Sequence, residues 1–354
     1  MSKRDGETTH GTSAPTPAQA SAQSQAEASA EDNLIATYFR PLATHPGAFD
    51  LTDDAAAITP PPGCDLVLTT DGVISGVHFF DEDPADAVAR KALRINLSDL
   101  AAKGAAPLGF LLSIGLPAGL PADWLKAFAR GLREDAEHYG CPLLGGDTDR
   151  SPSAITVYIA ALGTVPHGAM VRRKGARPGD IVVATGTIGD AALGLALRCD
   201  AAAAGRWKLD PAMRDHLLGR YLLPQPRTAL AEALRCHASA AMDVSDGLVG
   251  DLAKLCRVSG VAADVAVGDV PLSPAARQAV AAEPALIETI LTGGDDFEII
   301  ATLASDKFEA LRGEAEAVGV PIVRIGTITA GQGAHFRDSD GLALLFRRPS
   351  YSHF

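Results

Sequence analysis

Carboxylates set beside small residues are the most prominent chemistry-bearing positions in this chain. They are Asp53 and Asp54, Asp71 in LVLTTDG, Asp99 in INLSDLAAKG, Asp147 in LLGGDTDR, Asp243 and Asp246 in AMDVSDGL, and Asp295 and Asp296 in TGGDDFE. Most stand where an apolar run stops, which predicts loops at strand ends, where a rigid scaffold presents ligand-contacting groups. Asn96 and Asp99 are three apart on a predicted helix and so share a face. Taken singly, an Asp next to Gly or Ser is turn and cap chemistry, and Ser245 fits an N-cap. Taken together, converging carboxylates repel one another unless neutralised, and hard divalent cations with oxygen ligands neutralise them. Magnesium takes one or two carboxylates plus substrate phosphates, so an acidic set of this size points to several ions gripping a polyphosphate.

Other positions fit the same chemistry but have ordinary readings too. Gly145 and Gly146 before Asp147, and Gly293 and Gly294 before Asp295, suit a backbone that approaches a ligand closely or adopts positive φ, and equally suit plain turns. The basic run Arg172, Arg173 and Lys174 reads as a solvated stretch, or as cations for phosphate oxygens in an otherwise acidic chain. His78, just ahead of Phe79 and Phe80, reads equally as a packed histidine or a ligand contact. Common phosphate-binding signatures are absent. There is no Gly-Lys dipeptide, hence no P-loop, and the only G-x-G, Gly331 and Gly333, has Phe336 where a Rossmann fingerprint needs glycine.

The acidic set needs a scaffold, and 354 residues with 47% hydrophobic and 21% charged side chains supply a substantial core, most naturally as two domains. Residues 1–32 are almost free of large apolar side chains and predict a disordered tail. Beyond it the pattern mixes strands (near 66–70, 108–116, 141–144 and 155–162) with helices (near 33–39, 85–102 and 122–139). The stretch 166–179, rich in Gly, Pro and basic residues, reads as a linker between an N-terminal domain, 33–165, and a C-terminal domain, 180–354. The second half predicts strands near 181–185, 240–244, 262–267, 298–303 and 322–328, and helices near 191–197, 227–235, 248–258 and 274–282. The fold class is therefore α/β or α+β in two domains. A net charge of −12 argues against a general nucleic-acid surface. Five unclustered cysteines suggest neither a disulfide framework nor a zinc site and fit a reducing cytoplasm. The longest uncharged stretch, 104–122, is broken by Pro107, Pro117 and Pro121, so no membrane span is expected.

In this order the motifs TDDAAAI, LTTDGVISGVHFF, DPADAVARKALRINLSDLAAKGAAPLGF, LLGGDTDRSP, RRKGARPGD, ATGTIGDAALGL, AMDVSDGLVGDL and GGDDFEI resemble the thiamine-monophosphate kinase family of the aminoimidazole-ribonucleotide-synthetase-like superfamily. The resemblance extends from about Thr52 to Glu298, and the closing SYSHF resembles the family's chain end. It implies an N-terminal α/β domain that pairs with its copy in a homodimer, a C-terminal α/β domain, and an active site in the cleft between them. It also implies the reaction: ATP and thiamine phosphate give ADP and thiamine diphosphate, with Mg²⁺. By their places in the matching motifs, Asp54, Thr69, Thr70, Asp71, Asp99, Asp147, Asp243 and Asp246 correspond to metal ligands. Gly146, Asp147, Arg173 and Ser245 correspond to ATP contacts, and His78 and Asp295 to thiamine phosphate contacts. Direct in-line transfer to an already ionised phosphate oxygen needs no strong general base.

The chain departs from the family pattern at specific places. Thr52 stands where a Gly is usual, Asp295 where Glu is common, and Arg348 where an aromatic substrate contact is expected. Phe346, Tyr351 and Phe354 are nearby rings; Tyr351 is the candidate to stack on the thiazolium, or it simply packs the chain end. Other enzymes of the superfamily, such as aminoimidazole ribonucleotide synthetase or selenophosphate synthetase, and a non-catalytic nucleotide-binding relative are the alternatives. The VHFF segment after TTDG and the intact acidic set favour the kinase.

Overall fold

The computed structural model describes residues 29–351. In the N-terminal half, strands β1 (Cys64–Ile74), β2 (Ala106–Pro117), β3 (Leu143–Ser151) and β4 (Thr156–Pro166) form one sheet in the order β1-β4-β2-β3. The β1–β4 and β4–β2 pairs are antiparallel and β2–β3 is parallel. Helices α1 (Ala85–Ala102) and α2 (Ala122–His138) contribute to the same core, which joins Leu93, Leu97 and Leu100 of α1 to Phe128 and Leu132 of α2 and to Phe110, Val157 and Ile159 of the sheet. The other sheet face is open: Leu66, Leu68, Leu111 and Tyr158 are exposed, Leu68 by 68%. One face buried and one exposed is the normal state of an antiparallel sheet, but large apolar residues on the open side are not.

The C-terminal half contains β5 (Ile181–Thr185), α3 (Asp190–Cys199), α4 (Pro211–Leu222), α5 (Ala231–His237), β6 (Ala240–Val244), α6 (Leu248–Ser259), β7 (Ala262–Ala266), α7 (Pro274–Ala282), α8 (Leu286–Thr292), β8 (Glu298–Leu303), α9 (Phe308–Ala317), β9 (Ile322–Thr329) and β10 (Gly333–Arg337). Its six strands run in the order β10-β7-β9-β5-β8-β6. Alternation along β5 sends Val182 and Ala184 into a core with Leu193 of α3 and Leu252 of α6, and Ile181 and Val183 into a second core with Leu234 of α5 and Leu311 of α9. Ala101 and Ala102 of α1 belong to this second core. The helix is therefore buried nearly all round and is shared by both halves.

Several expectations need correcting. Residues 30–32 belong to a helical turn, Ala30–Leu34, where Ser29 and Asp32 form a capping box. The rest of the expected tail, 1–28, lies outside the described residues. Strands β1 and β3 run on through Asp71 and Asp147, because β4 and β2 continue to pair with them where the apolar pattern has stopped. Helices α4, α8 and α9 and strand β10 were not expected. Among the described residues no helix is long and apolar enough to cross a membrane.

Candidate active site

The site is assembled around α1. Alternation along β1 puts Thr69 and Asp71 on the helix-covered face and Thr70 on the open one. The Thr69 hydroxyl donates to Oδ2 of Asp99. Asn96, fully buried, fixes the neighbouring backbone: its Oδ1 accepts from Asp71 N at 2.9 Å and its Nδ2 donates to Asp71 O at 3.3 Å. A strand and a helix thus hold two carboxylates at fixed places. Thr70 is not brought to them.

A turn from the other half meets this pair. Asp243, at the end of β6, is 4% exposed and accepts from the Ser98 hydroxyl of α1 at 2.9 Å. Beyond it the chain turns through Ser245 and Asp246. Both of their N–H groups donate to Oδ2 of Asp251, at 3.0 and 2.9 Å, and Lys254 bridges Asp246 and Asp251. Gly247 completes the turn at φ +107, where a Cβ would lie 2.6 Å from the Thr292 carbonyl. Desolvation, reinforced by the like charges of Asp99 and Asp246 and opposed by Arg173, pushes the Asp71 carboxyl up to about 6, although the residue reaches solvent. Burial and Asp99 push Asp243 up as well, with the Ser98 hydrogen bond and Lys103 acting against them. Desolvation pushes Lys103 down; its Nζ donates to Ala241 O at 2.8 Å. Carboxylates that resist ionisation because they are desolvated and, secondarily, crowd one another are a donor set suited to Mg²⁺. Among the described residues no group of three or more His, Cys, Asp or Glu side chains is placed to hold a metal ion by itself.

Asp54, Gly146 and Asp147 lie elsewhere, around a cavity of about 820 Å³ also lined by Ile35, Phe39 and Asp53. Cross-strand register measures the separation: Asp71 pairs with Ile159, Ile159 with Leu112, and Leu112 with Gly146. Three inter-strand steps of about 4.8 Å place Gly146 roughly 14 Å from Asp71 across the sheet. Asp147, in register with Ser113 and Tyr158, falls on the open face with Thr70. Gly146 is required by strand pairing, since a Cβ there would sit 1.8 Å from Leu112 O. The expected metal ligands therefore form two sets within one chain.

His78 and Asp295, 217 positions apart in sequence, are brought together by a residue that the sequence reading did not single out. The Lys91 ammonium donates to His78 O at 3.0 Å and to Asp295 Oδ2 at 2.8 Å. The loop bearing Asp295 is pinned from below: Asp295 N donates to Ser245 O at 2.9 Å, Phe297 N to Val244 O at 2.8 Å, and the buried Asp296 accepts from Gly189 N at 2.7 Å and Ala191 N at 3.3 Å at the start of α3. Glu298, also buried, takes Arg220 at 2.8 Å and Arg227 Nε at 2.7 Å. Arg173 is exposed beside the acidic set.

Comparison with known proteins adds the family. The N-terminal domain model of the AIR synthase related proteins matches residues 52–165 and the C-terminal domain model matches 177–339. The thiamine-monophosphate kinase of Caulobacter vibrioides is 41% identical over 312 residues, 86% of this chain and 86% of that protein. The chain belongs to the thiamine-monophosphate kinase family. The crystal structure of the family member from Stenotrophomonas maltophilia K279a is 39% identical with a TM-score of 0.75, covering 83% of this chain and 91% of that one. A solved structure of AaThiL complexed with AMPPCP and TMP is 30% identical with a TM-score of 0.73, covering 85% and 91%.

Within this thiamine-monophosphate kinase family member the missed residues carry a legible signal. Lys91, Arg94 and Ser98 stand at spacings of three and four, and Lys103 continues the same spacing from Asn96 and Asp99, on a helix buried nearly all round. Two polar stripes on a helix buried all round require partners, and each has one. The chain end approaches the turn: Tyr351 N donates to Asp246 O at 3.0 Å, and Ser350 packs against Gly250, where a Cβ would lie 2.4 Å from Ser350 Cβ. Phe346 is half-buried and packs edge-on against Phe336 of the core, with ring centroids 5.6 Å apart. Arg348 is exposed, and Phe354 lies outside the described residues. Thr52 ends a 3-10 turn, its hydroxyl donating to Phe49 O at 2.7 Å.

Proposed function

We propose that this protein transfers the γ-phosphoryl group of ATP to thiamine phosphate, giving thiamine diphosphate and ADP. The observation that carries this reading is the convergence, around one helix, of the Asp71, Asp99, Asp243 and Asp246 carboxylates with the turn through Ser245 and with the His78, Lys91 and Asp295 cluster. Asp71, Asp99, Asp243 and Asp246 would hold Mg²⁺, with Thr69 orienting Asp99. When bound, the ions neutralise phosphate charge during transfer. Arg173 and Ser245 would meet ATP phosphates, and His78 and Asp295 would meet thiamine phosphate. The attacking atom is a phosphate oxygen that is already ionised, so the protein's work is to position the two substrates.

Thr70, Asp147, Gly146 and Asp54 fit this scheme if the working unit is a homodimer. They lie on the open sheet face and at its far edge, and the exposed Leu66, Leu68, Leu111 and Tyr158 suit that face to a second copy of the chain, which would add its own β3 edge to the site. Free cysteines throughout suit the cytoplasm. The two-domain division proposed is 33–165 and 180–354, joined by 166–179. The test is ADP release with Mg²⁺ and either thiamine phosphate, thiamine or an aminoimidazole precursor as acceptor. Release only with thiamine phosphate is expected; release with the aminoimidazole precursor instead would replace this reading by another chemistry of the same fold.

A further inference from the structure

Lys91 is 3% exposed, yet it is an ammonium on a helix shared by both halves of the molecule. A buried cation persists only with partners that replace its water, and Lys91 has three from separate segments. They are the carbonyl of His78 at 3.0 Å, the carboxylate of Asp295 at 2.8 Å and the ring of Tyr221, whose centroid lies 4.1 Å from Nζ. Tyr221 in turn donates its hydroxyl to the same His78 carbonyl at 3.3 Å and meets Phe80 edge-on, with ring centroids 6.1 Å apart. Asp295 sits at φ +69 and Phe297 at φ +50, both in the left-handed region that side chains avoid. Such conformations persist where surrounding contacts over-determine them, and they concentrate at ligand-holding loops. Here the contacts are the backbone hydrogen bonds to Ser245 and Val244 and, for the Asp295 side chain, Lys91. The Asp295 side chain remains 32% exposed, so while Oδ2 faces Lys91 the carboxylate still opens to solvent.

We propose that Lys91 is a positioning residue of the thiamine phosphate pocket, fixing the His78 loop through its carbonyl and the Asp295 carboxylate through an ion pair so that both meet the substrate in one arrangement. The proposal rests on the kinase reading and deepens it. Without Lys91 the two loops lose their common anchor, and Asp295 is free to turn toward the acidic turn at Ser245 and Asp246 or into solvent. The effect is confined to the acceptor, because the groups assigned to ATP lie on other segments.

The test is calorimetric titration of the full-length protein with thiamine phosphate and, separately, with a non-hydrolysable ATP analogue and Mg²⁺, beside thermal midpoints. Lys91→Met should raise the Kd for thiamine phosphate about tenfold and leave that for the nucleotide within about twofold. Asp295→Asn should do the same, and the double variant should be no worse than either single one, since residues acting as a unit are non-additive. Lys91→Gln keeps a donor for His78 O and loses the ion pair; it should fall between wild type and Lys91→Met, and it carries the test if Lys91→Met fails to fold. Equal weakening of both ligands with a lowered midpoint, or additive losses in the double variant, would reduce Lys91 to a packing role. Wild-type binding with unchanged Kd in both Lys91 variants overturns the Lys91 proposal alone, whereas no wild-type binding of thiamine phosphate overturns the kinase reading as well.

Discussion

Asp71 and Asp251 are both carboxylates near the turn, and they do different work. Asp251 is fully buried and accepts from two backbone N–H groups, so it builds the turn that presents Asp246. Asn there keeps one oxygen for those N–H groups only by turning its NH2 toward the Lys254 ammonium that Oδ1 now accepts from; Asp251→Asn should lower the thermal midpoint and weaken nucleotide binding about tenfold or more, measured by titration. Asp71 opens to the cleft, and its carboxyl is raised to about 6. Between the unfolded value of 3.8 and 6 the folded chain holds a proton that the unfolded chain has released. This group's stabilisation is therefore complete below the lower value and is lost as pH rises through the upper one. Mg²⁺ must compete with that proton, so it should raise the melting temperature clearly more at about pH 7.5 than at about pH 5, and Asp71→Asn should shrink the difference. An equal rise at both pH values would count against Asp71 as a ligand. The individual acidic residues were legible in the sequence, but their faces were not. Thr69 and Thr70 are neighbours in sequence and opposite in space, and only the strand that continues through them decides which one meets Asp99.

Helix α1 is the element that organises the molecule. Its 18 residues are legible in the sequence because apolar residues recur at helical spacing with no Pro or Gly to break them. What its polar residues do was hidden, because their partners come from as far away as Asp295. Arg94 shows the energetic side of such burial: it makes a bidentate pair with Asp135 of α2 at 2.6 and 3.0 Å and donates to Pro224 O at 3.1 Å. Arg94→Met strands the Asp135 carboxylate, and the loss of one partner of a buried pair costs about 3–5 kcal/mol. Chemical denaturation should register that loss, and a change below about 1 kcal/mol would mean that water reaches Asp135. The elements that escape the sequence pattern do so for different reasons. Helices α8 and α9 are short and follow loops without strong caps. Strands β1 and β3 lose their apolar alternation where they leave the core, though their hydrogen bonding continues.

At the scale of the whole molecule, one sheet face carries apolar side chains into solvent and the expected ligands divide between two edges. Both facts suit the proposed pairing with a second copy of the chain. Leu68, the most exposed of these apolar side chains, is the residue to charge: on the proposed homodimer, Leu68→Asp should leave a monomer in sedimentation and reduce turnover by at least about tenfold, with little change in the fold by circular dichroism. A variant that remains dimeric and active would place the interface elsewhere. Sequence reasoning reached the two-domain architecture and the acidic set, because both are written in local patterns. It could not reach the division of that set, since register across four strands is a property of pairing.

The proposed reaction is direct phosphoryl transfer between two bound substrates. Phosphorus NMR of a reaction holding the protein, Mg²⁺, thiamine phosphate and ATP isotopically labelled in its γ-phosphoryl group tests it. The label should appear in the terminal phosphate of thiamine diphosphate as ADP forms, with none retained on the protein. Label released as orthophosphate while thiamine phosphate stays unchanged, or label found on a side chain, would contradict the account.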